Sequence, residues 1–135
     1  MQGECVECGS YGYIEQHHVI LRGMGGGRRY DYPLNLRALC HACHYGNAGP
    51  HRCRKTDLRY KQELRAALWG NLREQAYTVL ALCKSIHLPT PAGYELVKAL
   101  RPCGMVGAEP LYAKEEIIYK LLGDRHGWAG ASEHG

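Results

Sequence analysis

No apolar run in the 135-residue chain approaches the ~18 residues that a membrane helix needs. No spanning segment is therefore expected. The opening residues Met1-Gln2-Gly3-Glu4-Cys5 lack the apolar stretch of a secretory signal. A cytoplasmic protein is the resulting expectation. Residues 1–55 show little helical periodicity, and no internal repeat occurs. An excess of charge is also missing, since the net value is +4. Residues 1–55 hold seven Lys/Arg against four Asp/Glu and the rest ten against nine, giving +3 and +1. Global charge thus says little about nucleic acid, and the local arginines say more.

What the chain does have is sulfur and imidazole. It carries seven cysteines and eight histidines. An odd count in a reducing compartment argues against a disulfide framework and for metal ligands or buried thiols. Five of the histidines lie between His17 and His51. Sulfur and nitrogen ligands gathered this way suit zinc or a similar transition metal. If four thiolates held one zinc ion, that cluster would carry a charge of about −2.

Composition divides the chain into residues 1–55, rich in Cys, His, Gly and Arg, a helical stretch over 56–126, and a small polar tail, 127–135, expected to be loose. Thr56 or Asp57 is a plausible N-cap. Leu64, Leu68, Leu72, Ala76, Val79, Leu80 and Cys83 recur at spacings of three and four, one helix face, which Gly70-Asn71 can divide in two. After Pro89-Thr90-Pro91 a short helix over about 92–101 ends near Cys103-Gly104. A last amphipathic helix over about 112–122 carries Ile117, Ile118, Leu121 and Leu122 and stops at Gly123. Earlier in the chain, Tyr11 to Ile20 reads as a strand on which His17 and His18 face opposite sides. Arg22 to Tyr32 reads as a Gly- and Arg-rich loop, Asn35 to Leu39 as a second strand, and Cys40 to His44 as the start of a helix. The fold expected is α+β: a small ββα unit followed by a helical extension packed on it. The unit is too small to stand on hydrophobic burial alone.

A metal clamp would meet that need. Cys5-x-x-Cys8 and Cys40-x-x-Cys43 are two chelating pairs, and together they fill a tetrahedral site. Such a closed site is structural. The competing reading is a redox Cys-x-x-Cys pair or buried thiols. Cys53, Cys83 and Cys103 are left over; Cys83 reads as core, with a second site from Cys83, His87 and Cys103 as its alternative.

Between and after the clamp stand His17-His18-Val19-Ile20, the Gly/Arg loop, Asn35-Leu36-Arg37-Ala38-Leu39-Cys40 and Cys43-His44. With the clamp, residues 5–51 resemble the HNH, or ββα-metal (His-Me finger), endonuclease family, in the four-cysteine form common in phages and prophages. The resemblance covers about the first 40% of the chain and none of the later helices. It implies a metal-dependent endonuclease that hydrolyses DNA phosphodiester bonds. Such chemistry needs an activated water and a cation to stabilise charge on the phosphate.

By that resemblance His18 is the general base, because imidazole exchanges protons near neutral pH. His17 is a metal ligand, His44 the metal-binding histidine of the helix, and Asn35 the residue that fixes the loop and orients His18. Capping a turn is the plainer role for Asn35. The catalytic ion implied is a divalent cation such as Mg2+, Mn2+, Ni2+ or Zn2+, beside a structural Zn2+. The sequence departs from the family four residues after His44, where Ala48 replaces a further histidine. We read Tyr45 to Pro50 as an inserted turn that returns His51 to the metal. The alternative leaves His51 exposed or on DNA, with water completing the shell.

Arg22, Arg28 and Arg29 suit the phosphate backbone, with Arg37, Arg52 and Arg54 as weaker candidates for DNA contact. A solvated loop is the plain reading of the first three. Tyr30 and Tyr32 suit base stacking or a small core, core being favoured. His41 reads as exposed. The later helices leave two roles open, substrate choice or homodimerisation. A non-catalytic zinc-finger-like DNA- or protein-binding module is the competing class. It has no need of His17, His18, Asn35 and His44 in register. Cleavage selective for branched DNA is a variant of the first class.

Overall fold

A computed structural model describes residues 1–20 and 31–123. Over these the chain is a small mixed α/β protein with small sheets and five helices. Arg22, Arg28, Arg29, Tyr30 and the 127–135 tail, all given expectations above, lie outside the described residues.

Strands β1 (Gln2–Glu4) and β2 (Tyr11–Tyr13) pair antiparallel across the first cysteine pair. The single strand expected over 11–20 is two pieces, because β3 (Glu15–His18) turns away to pair with β4 (Leu36–Leu39). Asn35 belongs to a 3-10 turn, Pro33–Asn35, that feeds β4 rather than to the strand itself. Helix α1 (His41–Tyr45) follows at once, and its last turn closes through Gly46 N–H donating to Ala42 O.

Helix α2 (Arg54–Asn71) starts before the expected cap, with Cys53 at its N-cap. It buries Tyr60, Leu64 and Leu68, so one stripe at spacings of four carries the packing. It ends at the expected break, with Leu72 fully buried beyond it.

The extension expected to be helical also holds a sheet. Strand β5 (Ala76–Tyr77), β6 (Gly104–Val106) and β7 (Glu109–Ala113) form three antiparallel strands in the order β5-β7-β6. Ala76 matches the helical spacing yet lies in β5. Helix α3 (Val79–Ile86) and α4 (Thr90–Val97) stand between β5 and β6. Helix α4 is shorter than expected, and α5 (Lys114–Leu121) begins only after β7. The stop at Gly123 is where the sequence puts it, at φ 74°. One continuous hydrophobic cluster joins Ile20, Tyr32, Leu39 and Tyr60 to Leu82, Leu96, Ile117 and Leu121. The cysteine-rich part and the later helices therefore share one core. No helix among the described residues is long and apolar enough to cross a membrane.

Candidate metal centres

Two clusters of metal-ligating side chains form among the described residues: Cys5, Cys8, Cys40 and Cys43, and His17, His44 and His51. In each, the ligand atoms lie within 4.8 Å of one another.

The cysteine cluster is built from two tight turns. Cys5 N–H donates to Ser10 O at 2.9 Å and Gly9 N–H to Cys5 O at 2.8 Å. Gly9 sits at φ 79°, a left-handed conformation that glycine adopts without a Cβ penalty. Val6 N–H donates to Ala38 O at 2.9 Å, which ties this turn to the strand leading into Cys40. The Cys8 and Cys40 sulfurs are 3.9 Å apart. That is far beyond a disulfide's ~2.05 Å, and close to the ~3.8 Å edge of a tetrahedron with Zn–S bonds of about 2.3 Å.

The electrostatics agree with a cation site. Burial alone would raise the Cys5 thiol, but the backbone N–H groups of Cys40, Cys8 and Glu7 outweigh it and bring it down to about 6. Burial, and then the sulfurs of Cys40, Cys8 and Cys5, push Cys43 well above the ordinary thiol range. One thiolate forms readily, and the last is resisted without a positive ion among them. A structural metal such as zinc fits this donor set.

The histidine cluster draws on three elements. His17 comes from β3, His44 from α1 and His51 from the turn after α1. The Nε2 atoms of His44 and His51 are 3.0 Å apart. His17 is 3% exposed, and its Nε2 is buried without a hydrogen-bond partner. Burial first, then the rings of His44 and His51, lower its pKa to about 3, so the ring stays neutral. Burial and His44 likewise lower His51. Three imidazoles converge, one with a buried ring nitrogen that meets no hydrogen-bond partner among the described residues. That donor set fits a transition-metal cation.

Two glycines make this convergence sterically feasible. A Cβ on Gly49 would stand 2.6 Å from both the Cys43 and His44 carbonyl oxygens, and one on Gly46 would stand 2.3 Å from Ala42 O. The chain can thus fold back against α1 and bring His51 to His44, seven residues earlier. Tyr45 stacks on His51 with ring centroids 5.0 Å apart.

Glu15 lies behind the cluster. Its Oε1 is 2.7 Å from His44 Nδ1 and its Oε2 is 3.3 Å from His41 Nδ1. The His44 contact is the chief cause of a lowered Glu15 pKa. A carboxylate on Nδ1 leaves the Nε2 lone pair of His44 directed at the cluster. Glu15 is not among the site residues expected from the motif. The signal was available, because Glu15 and His17 share a face of the strand. His41 is exposed, as expected.

His18 points to the other side of β3, and its Nε2 is 2.7 Å from Asp31 Oδ1. Asp31 was also missed, because nothing in a loop's spacing marks a partner. Asn35 is fully buried; its Oδ1 accepts from Ile20 N–H at 2.8 Å and its Nδ2 donates to Ile20 O at 3.2 Å. Its own carbonyl accepts from Val19 N–H at 2.8 Å. The amide therefore fixes the chain just past His18.

Arg37, expected on DNA, pairs with Glu63 and lies over the Tyr60 ring at 4.3 Å. Tyr60 donates to Glu7 at 2.8 Å, and Arg59 pairs with the same carboxylate at 3.0 Å. These contacts tie α2 to the first cysteine turn. Exposed Arg52, Arg54 and Lys55 follow His51 directly, at the start of α2. Tyr32 is core. Cys83 is buried whereas His87 and Cys103 are exposed, and the three form no cluster. Comparison with protein-family models, with curated proteins and with solved structures finds no match.

Proposed function

We propose that this chain is an HNH-type, metal-dependent DNA endonuclease whose residues 1–55 form a ββα-metal unit. One observation carries the reading. On a single strand, His17 enters a three-histidine cluster while its neighbour His18 meets a carboxylate. A binding module has no use for that division of labour.

A divalent cation held by His17, His44 and His51 would supply Lewis-acid stabilisation of charge on the scissile phosphate and leaving oxygen. His18 is the base. With its Nε2–H donated to Asp31, its Nδ1 takes the proton from water. The water oxygen forms a new bond to phosphorus as the ester P–O bond breaks. Asn35 holds the backbone that presents His18. Glu15 holds His44. Arg52, Arg54 and Lys55 offer the phosphate backbone a charged approach beside His51.

The test is metal add-back. Protein stripped of exchangeable metal by mild chelation, with its clamp zinc retained, is incubated with supercoiled plasmid. Nicking should return on adding magnesium, manganese, nickel or zinc. No nicking with any of them overturns the reading.

A further inference from the structure

We infer that residues 54–113 form a winged helix-turn-helix module that reads duplex DNA through the exposed face of α4, a second nucleic-acid surface separate from the histidine cluster. The order of elements is helix α2, strand β5, helices α3 and α4, then the hairpin β6-β7. The sheet order β5-β7-β6 lays the hairpin back beside the strand that precedes the helix pair.

The link between α3 and α4 is the three-residue turn His87-Leu88-Pro89. A helix-turn-helix needs such a short turn, often with glycine. Here His87 takes the left-handed conformation at φ 58° and ψ 38°, the only non-glycine residue with positive φ among those described. Leu88, 3% exposed, plugs the turn into the core. The helices meet closely at Gly93. A Cβ there would stand 2.4 Å from Cys83 Sγ and 3.1 Å from Val79 Cγ1. That contact fixes α4 against α3 and leaves its opposite face outward.

The outward face fits DNA better than protein. Ala92, Gly93, Leu96 and Val97 are buried, while Thr90, Pro91, Tyr94, Glu95 and Lys98 are exposed. No Leu, Ile, Val or Met stands on that face to form the apolar centre of a protein interface. Residues 78–106 hold three cations, Lys84, Lys98 and Arg101, against the one acid Glu95, which is itself 3.2 Å from Lys98. Helix docking in the major groove presents such polar side chains to base edges. The β6-β7 hairpin, turning at Gly107 with φ 60°, gives the module a wing beside the helix pair. In this arrangement α4 selects where the histidine cluster acts.

The inference shares DNA as substrate with the function proposed above but needs no cleavage. The probe is the full zinc-loaded chain with His18→Ala, incubated with a random duplex library whose bound fraction is sequenced. A short motif should be enriched. Affinity for it should fall about ten-fold or more with Tyr94→Ala plus Arg101→Ala, and similarly with Lys98→Glu. All three residues are exposed, so circular dichroism and zinc content should not change. Absence of any enriched motif overturns the inference. So does an unchanged motif and affinity in both variants. A change of oligomeric state in those variants, with DNA binding intact, assigns the face to a second copy and also overturns it. Plasmid nicking by the unmodified chain remains an independent readout, so either proposal can fail alone.

Discussion

Glu15 Oε1 and His44 Nδ1 lie 2.7 Å apart, so a carboxylate from β3 sets the ring of α1 that faces His17 and His51. This relationship makes the histidine cluster directional. Replacing Glu15 by Ala should weaken divalent-metal binding at the cluster by about 10- to 100-fold, the usual range for losing such a support. Calorimetric titration with manganese or nickel measures it. Zinc content at the cysteines should not move. Unchanged affinity would show that Glu15 does not orient His44.

Gly49 tests the returning turn. Its missing Cβ leaves room for the Cys43 and His44 carbonyl oxygens, each 2.6 Å from where that atom would be. Both are backbone atoms and cannot swing aside. Gly49→Ala should destabilise the protein by about 1–3 kcal/mol, as overpacking does. It should also pull His51 from the cluster. Denaturant unfolding reads the first effect and metal titration the second.

The clamp should be stabilising outright. Four sulfurs drawn within 4.8 Å of one another need a cation among them to hold their turns together. Strong chelation, or Cys40→Ser, should release zinc and melt the β1-β2 and β3-β4 pairs before the later helices. Hydrogen exchange, followed residue by residue, would detect that order. Uniform protection after zinc release would contradict it.

Stability should also fall at high pH through Tyr60. Burial first, and then the bond to Glu7, raise its pKa well above the ordinary 10. Below pH 10 the tyrosine is neutral in both folded and unfolded chains, and its contribution is fully present. Above 10 the unfolded chain loses the proton and the folded one keeps it, so stability drops as pH rises. Tyr60→Phe should remove that part of the slope in thermal melts taken between pH 9 and 11 (an interval of roughly one unit either side of the usual tyrosine value). The same slope in both proteins would contradict the assignment.

Short, strongly constrained spacings were legible in the sequence, and long-range pairings were not. The two Cys-x-x-Cys pairs come together because the reach of two tight turns leaves little choice. His17 and His18 diverge because strand side chains alternate. Glu15 was legible by the same alternation, two residues before His17. Asp31 was not, since its meeting with His18 depends on a loop. In the later region, β7 hides behind Pro110, which cannot donate to a ladder. It is tolerated because the two-residue β5 pairs only with Tyr112 and Ala113 and does not reach it. The turn between α3 and α4 hides because His87 occupies a conformation that glycine would have advertised. Arg37 also has long-range partners that spacing does not mark, since Glu63 and Tyr60 come from α2.

The proposed division of labour between His17 and His18 is tested most directly by plasmid nicking with His18→Ala at saturating divalent metal. Cutting should fall by a factor of at least about 100, as for removal of a general base. Zinc content and metal binding at His17, His44 and His51 should be retained. Cutting at the unmodified rate would contradict it.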